Sequence, residues 1–153
     1  MAQTIIQITA KPGSLLAMGK LKNLRPHILR GIRQAWFETG RDLMKEANKQ
    51  ILHGTKTGRK YRNLRNRSSA PGESHANQSG DLRKSLGWKV HGADSIEFGY
   101  GIDKPTTDYA KFIEFGTPKG QMKPRPTLRN TVLASTRNIE VNLVKGITKE
   151  IEK

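Results

Sequence analysis

The sequence predicts an α+β fold, on three observations. An apolar stripe of helical period runs from Pro26 to Gly54, two alternating apolar segments flank a turn between Leu86 and Ile102, and a second helical stripe runs from Leu128 to Ile151. Ahead of them, Thr4 to Thr9 sets Ile6 and Ile8 two apart beside Ile5, a β-like pattern that Pro12 and Gly13 stop, as an edge strand or an arm. In the first helix Ile28, Ile32, Ala35 with Trp36, Thr39, Leu43, Ala47 and Ile51 recur at three- and four-residue steps along one face. Pro26 suits its first turn, where a missing N–H costs nothing, and Gly54 stands where a C-terminal cap is expected. Gly40 in its interior costs about 1 kcal/mol relative to alanine, which close packing with a neighbour would explain.

From Gly54 to Gly80 the apolar pattern disappears. Ser68 to Glu73 reads as turn-rich, and a connection this long is either functional or disordered on its own. Ser79 is then placed to cap a short helix through Asp81, Leu82, Arg83 and Ser85. Leu86, Trp88 and Val90 alternate with polar or small residues, as do Ile96, Phe98, Tyr100 and Ile102 after the turn at Gly92 to Ser95, which predicts a hairpin with one buried face. Asp108 to Thr117 has the length of about two helical turns ended by glycine, with its aromatics expected to pack on the hairpin. A proline-rich basic stretch, Pro118 to Pro126, leads into the last helix, whose stripe is Leu128, Val132, Ile139, Leu143, Ile147 and Ile151. Residues 1–153 are read as one domain, with 1–24 as an N-terminal arm and 54–80 as a long, partly flexible basic loop.

Charge is the strongest compositional signal. The 153 residues hold 28 Lys and Arg against 13 Asp and Glu, a net +15 that attracts polyanions or acidic proteins and disfavours a metabolic enzyme with a neutral surface. The absence of Cys removes disulfides, thiolate zinc sites, iron–sulfur clusters and a cysteine nucleophile. Apolar runs fall short of the roughly 18 residues of a spanning helix, and Met1 to Pro12 lacks the pattern of a signal peptide, so a soluble protein made in the cytoplasm is expected.

Catalytic chemistry finds little support. His27, His53, His75 and His91 lie far apart, without the pairings that bind metals, and read as surface residues. Ser68, Ser69 and Ser85 have no nucleophile elbow around them, and Gly99 and Gly101 lack the following helix of a phosphate cradle. Glu97, Asp103, Asp108 and Glu114 are the sparse carboxylates from which a metal-dependent nuclease would have to draw; for Glu114, one turn beyond Ala110, a capping or inter-subunit hydrogen bond fits as well. Trp36 and Trp88 read as core. In contrast, Lys56, Arg59, Lys60, Arg62, Arg65 and Arg67 form a run with no acid among them, suited to DNA phosphates or to an acidic partner. Tyr61 is the lone aromatic there, which gives little of a single-strand stacking platform.

Several separated stretches together resemble a known family. They are the helix around Ala35 to Ala47, Arg59-Lys60-Tyr61-Arg62, Ser69-Ala70-Pro71-Gly72-Glu73, Ser79-Gly80-Asp81-Leu82-Arg83-Lys84-Ser85-Leu86, Tyr109-Ala110-Lys111-Phe112-Ile113-Glu114-Phe115-Gly116-Thr117, and Arg125-Pro126-Thr127-Leu128. In this order they resemble the small tail-completion, or head–tail joining, neck proteins of long-tailed bacteriophages. The chain departs from the family pattern at Thr127, where phenylalanine is common, and at Ser74 and His75, where a proline often follows Gly-Glu.

The resemblance implies a non-enzymatic virion assembly protein without cofactor, a ring, expected to be a hexamer, at the top of the tail. Its partners would be the head connector or adaptor and the tail terminator or tail tube proteins, with nonspecific contact to genomic DNA in the passage and no membrane. It would reside in the virion neck, and in the host cytoplasm during assembly. It further implies turn and helix-start roles for Gly80, Leu82 and Ser85, packing and end geometry for Tyr109, Ala110, Glu114, Gly116 and Thr117, and an interface segment at Arg125 and Pro126. The competing expectation is a nonspecific nucleic-acid-binding module, with the nuclease third.

Overall fold

Pro26 enters the long first helix at the position its fixed φ suits, and this helix, α1, runs from Arg25 to His53 until the Gly54 N–H closes on the Gln50 carbonyl. The other elements are strand β1 (Thr4–Thr9), the one-turn helix α2 (Asp81–Lys84), strands β2 (Leu86–His91) and β3 (Ser95–Tyr100), helix α3 (Ala110–Phe115) and helix α4 (Thr127–Ile151). The computed structural model describes residues 4–9, 24–64, 66–106 and 108–152. Most of the expected N-terminal arm, 10–23, lies outside the described residues, as does Arg65. This is a single α+β domain with a long N-terminal helix, a central antiparallel sheet, and a short and a long C-terminal helix.

The three strands pair antiparallel in the order β1-β3-β2, so Thr4–Thr9 is an edge strand of the sheet. Register places Ile6, Phe98 and Trp88 in one row, with Val90 opposite Ile96 and Leu86 opposite Tyr100. One face is therefore apolar, and Ile96, Phe98 and Tyr100 are fully buried on it. The turn uses Gly92 at φ +62°, and β3 ends at Tyr100 because Gly101, at φ +84°, turns the chain away before Ile102.

Every position of the expected α1 stripe is buried. Two glycines on that face receive neighbours directly. A Cβ on Gly40 would stand 2.3 Å from the Trp88 ring, and one on Gly31 would stand 2.4 Å from the Gly146 carbonyl of α4. Trp36, whose Nε1 donates to the Ala93 carbonyl at 3.1 Å, ties α1 to the hairpin turn. Helices α1 and α4 run in opposite directions, with Arg30 beside Glu150 at 3.7 Å and Asn142 donating to Asp42 at 2.9 Å.

Three expectations are corrected. The cap of α2 is Gly80, at φ +88°, and Ser79 instead accepts the Asp81 N–H. The aromatics of α3 do not pack on the hairpin: its inner face is Ala110, Ile113 and Glu114, at helical spacing, which leaves Phe115 67% exposed. Ile151 is exposed, and the buried residue in the last turn of α4 is Glu150. Among the described residues no helix is long and apolar enough to cross a membrane.

Candidate partner-contact site

The basic segment after α1 is a folded projection, pinned at its base and tied further along through Asn66 to Asn77 and Gln78, with its cationic side chains exposed. At the base Glu73 accepts from the backbone N–H and the hydroxyl of Thr57, the latter at 2.7 Å, and from the Ala70 N–H at 2.7 Å. Burial opposes ionisation of Glu73, but the hydrogen bonds from Ala70 and Thr57, with the Lys56 ammonium nearby, hold its carboxyl below its ordinary pKa. Lys56 turns inward. Its Nζ donates to the carbonyls of Gln50 (2.9 Å) and Gly54 (3.2 Å), capping the negative end of α1, and burial lowers its pKa against the opposing pull of Glu73.

Further along, the neck of the projection is closed by Ser68, which donates through its N–H and hydroxyl to the Arg59 carbonyl at 3.1 and 3.0 Å. Gly58 is needed there, since a Cβ would stand 2.5 Å from the Ser68 carbonyl. Beyond the neck, Arg59, Lys60, Tyr61, Arg62, Leu64 and Arg67 are exposed. Among the described residues Arg59, Arg62 and Arg67 pair with no carboxylate. The Arg59 guanidinium lies over the Tyr61 ring, 5.4 Å from its centre. Arg67 reaches the Gly58 carbonyl at 3.4 Å. A concentration of cations on a held loop produces a positive field that attracts opposite charge.

The residues singled out by the resemblance lie beneath this projection and are spent on internal structure. Arg125 donates from Nε to the Ser69 carbonyl at 2.9 Å, and its N–H to the Ile113 carbonyl at 2.7 Å. Gly72 N–H meets the Pro124 carbonyl at 2.9 Å, and Asn130 Nδ2 meets the Gly72 carbonyl at the same distance. Pro126 precedes α4, its carbonyl accepting the Asn130 N–H. Gly116, at φ +81°, ends α3 where a side chain would strike the Met122 carbonyl, and Thr117 closes the next turn by exchanging hydrogen bonds with Met122.

Glu114 is buried, and its two oxygens accept the N–H groups of Leu128 and Arg129, both at 3.1 Å, so it caps α4 from α3 within one chain. Burial pushes its pKa up, and the N–H groups of Arg129, Leu128 and Thr127 pull it back in part. Leu82 and Ala110 are buried, Ser85 donates to the Leu82 carbonyl at 2.8 Å, and Tyr109 stays exposed at the start of α3.

His75, expected at the surface, is only 4% exposed. Its Nδ1 lies 2.8 Å from the Thr127 hydroxyl and 3.2 Å from that of Tyr100. Burial and the Lys56 charge push its pKa down to about 4. Burial and the Glu114 charge push the Tyr100 pKa up, against a hydrogen bond with Thr127. No spacing signal marked His75, because a single polar residue in an irregular segment has no period to read. On the hairpin, Glu97 stands 3.0 Å from His91. Among the described residues no three His, Asp or Glu side chains gather as metal ligands would. No model of a known family matches this chain, and no curated protein or solved structure matches it.

Proposed function

We propose that this protein is a non-enzymatic virion assembly subunit that completes the top of a long-tailed phage tail and joins it to the head connector, as a hexameric ring around the DNA passage. The observation that carries this reading is the use made of the resembling segments. Glu73, Gly116, Thr117 and Arg125, far apart in sequence, all take part in the bonds and turns that hold the segment on which the basic residues Arg59, Arg62 and Arg67 are exposed. A ring subunit needs both parts: a body that keeps its shape and a surface reserved for neighbours. The tip meets acidic surfaces of the connector, adaptor, tail terminator or tail tube proteins, or the genome's phosphates. A second reading, a nonspecific nucleic-acid-binding module, is favoured by the stacking of Arg59 on Tyr61, a pairing that also suits a nucleic-acid backbone.

The test is to mix the purified protein with tails lacking their head-joining component, measuring mass by light scattering before and after, and then to add filled heads. Stable addition to the tail end and recovery of joined particles are expected. A protein that ignores tails but binds DNA, with log affinity falling by about 0.9 per neutralised phosphate per log unit of salt, overturns the assembly reading in favour of the second.

A further inference from the structure

Helix α4 carries an apolar line on the side it does not bury. Leu128, Thr131, Ser135, Ile139 and Glu150 form its buried side, the side that meets α1. At about 100° per residue, Leu133, Val144 and Ile151 fall within about 20° of one line on the far side of the helix. Leu133 and Val144 are each 64% exposed, and Ile151 and, on the flank, Val141 are exposed as well. Single apolar side chains at a surface are ordinary, but a line of them along a whole helix, away from its buried side, is the pattern of a helix with a second partner.

The charges within that line say what the partner is. Between Leu133 and Val144 stand Arg137 and Glu140, both exposed, and among the described residues neither pairs with an opposite charge. The steps from Leu133 to Arg137 to Glu140 to Val144 are four residues, then three, then four, so the line reads the same from either end. A second copy of the helix laid antiparallel, with a two-fold axis between Asn138 and Ile139, sets Leu133 opposite the partner's Val144 and Arg137 opposite the partner's Glu140, and the axis repeats both pairs. That axis lies about half a residue from the midpoint of Thr127–Ile151, so the helices overlap along their full length, and Ile151 reaches the partner's Pro126. A parallel alignment in register would set like charge on like, and an apolar partner would cover both charges unpaired.

We propose that the outer face of α4 is a self-association surface on which a second copy of this chain packs antiparallel, with Leu133 on Val144 and Arg137 on Glu140, each twice. A two-fold contact does not close a ring, so this pairing goes beyond the assembly reading and stands whether or not the protein joins tails. One helix pair buries less than the roughly 1,600 Å² of a standard interface, so a dissociation constant of about 10–100 μM is expected.

The experiment is sedimentation equilibrium of the full-length protein from about 1 μM to about 500 μM, at about 0.15 M salt so that the net +15 of each chain is screened. A monomer–dimer equilibrium is expected. Arg137→Glu and Glu140→Arg each set like charges across the axis twice and should weaken association by about tenfold or more. An equimolar mixture of those two variants should form a heterodimer, and Arg137→Glu/Glu140→Arg in one chain should restore the wild-type constant. Leu133→Asp should leave a monomer. All of these positions are exposed, so helix content and unfolding midpoint should stay near wild type. A wild type that stays monomeric up to about 500 μM overturns the proposal, as does a double exchange no stronger than the single ones. An oligomer that ignores every exchange also overturns it; if that oligomer is a hexamer, the ring reading survives without this contact.

Discussion

The two ends of the core are held by different chemistry. Where α1 crosses α4 and the sheet, contact is apolar and close, with Gly31 against Gly146, Gly40 under Trp88, and Leu43 with no exposed surface. Where the basic projection meets α3 and the start of α4, contact is made by buried polar groups: Glu114 on the α4 N–H groups, His75 on Thr127, Arg125 on Ser69. Apolar packing is insensitive to pH and tolerates no loss of volume. The polar junction depends on which groups carry protons, and it sets the position of the segments that present the candidate contact surface.

The largest expected effect is on the apolar end. Leu43→Ala should cost about 3–4 kcal/mol, read from denaturant unfolding, because the rigid helix crossing cannot collapse around the vacated volume. A loss under about 1 kcal/mol would mean that the two ends differ less than their contacts imply.

At the polar end the sharpest probe is pH. His75 has a folded pKa of about 4 against 6.5 in the free side chain, so between these values the unfolded state binds more protons. Its contribution is complete above about pH 6.5 and lost as pH falls toward about 4, at most about 3 kcal/mol. Glu114, with its pKa raised, works in the opposite sense and offsets part of this loss. Comparing the wild type with His75→Gln isolates the histidine: the wild type should lose stability more steeply on acidification, and identical slopes would sink the assignment.

Glu114→Ala should cost about 2 kcal/mol at neutral pH, since it removes the cap of α4 and leaves buried N–H groups unpaired. Glu114→Gln, which keeps one accepting oxygen, should cost about half as much. Equal losses would show that volume rather than acceptance matters there.

The apolar end was legible because burial has a period. The α1 stripe could be read from Ile28 to Ile51, and the hairpin from its alternation. In α4 the same reading holds for Leu128, Val132, Ile139, Leu143 and Ile147, which lie in the core or pack against it, and fails at Ile151. Beside them the small or polar Thr131, Ser135, Gly146 and Glu150 also face inward, Gly146 against Gly31 of α1, and these carry no hydrophobic signal to read. That is why Ile151 was expected inside and Glu150 was not.

The polar junction was hardly legible. Glu73 and Arg125 stood out only within the resembling segments, because their partners are backbone groups that every residue possesses, whereas the capping bond of Glu114 was expected from its place one turn beyond Ala110, without its partners on α4. Net charge marked the basic run but not its division into an inward Lys56 and an outward tip.

The central claim is that this tip is a partner surface rather than part of the scaffold. The variant Arg59→Ser/Arg62→Ser/Arg67→Ser, compared with the wild type for sedimentation with tails lacking their head-joining component, tests it most directly. The account predicts that unfolding free energy changes by less than about 0.5 kcal/mol per substitution, as for exposed residues, while tail association is lost. Tail association at the wild-type level in a folded variant would contradict it.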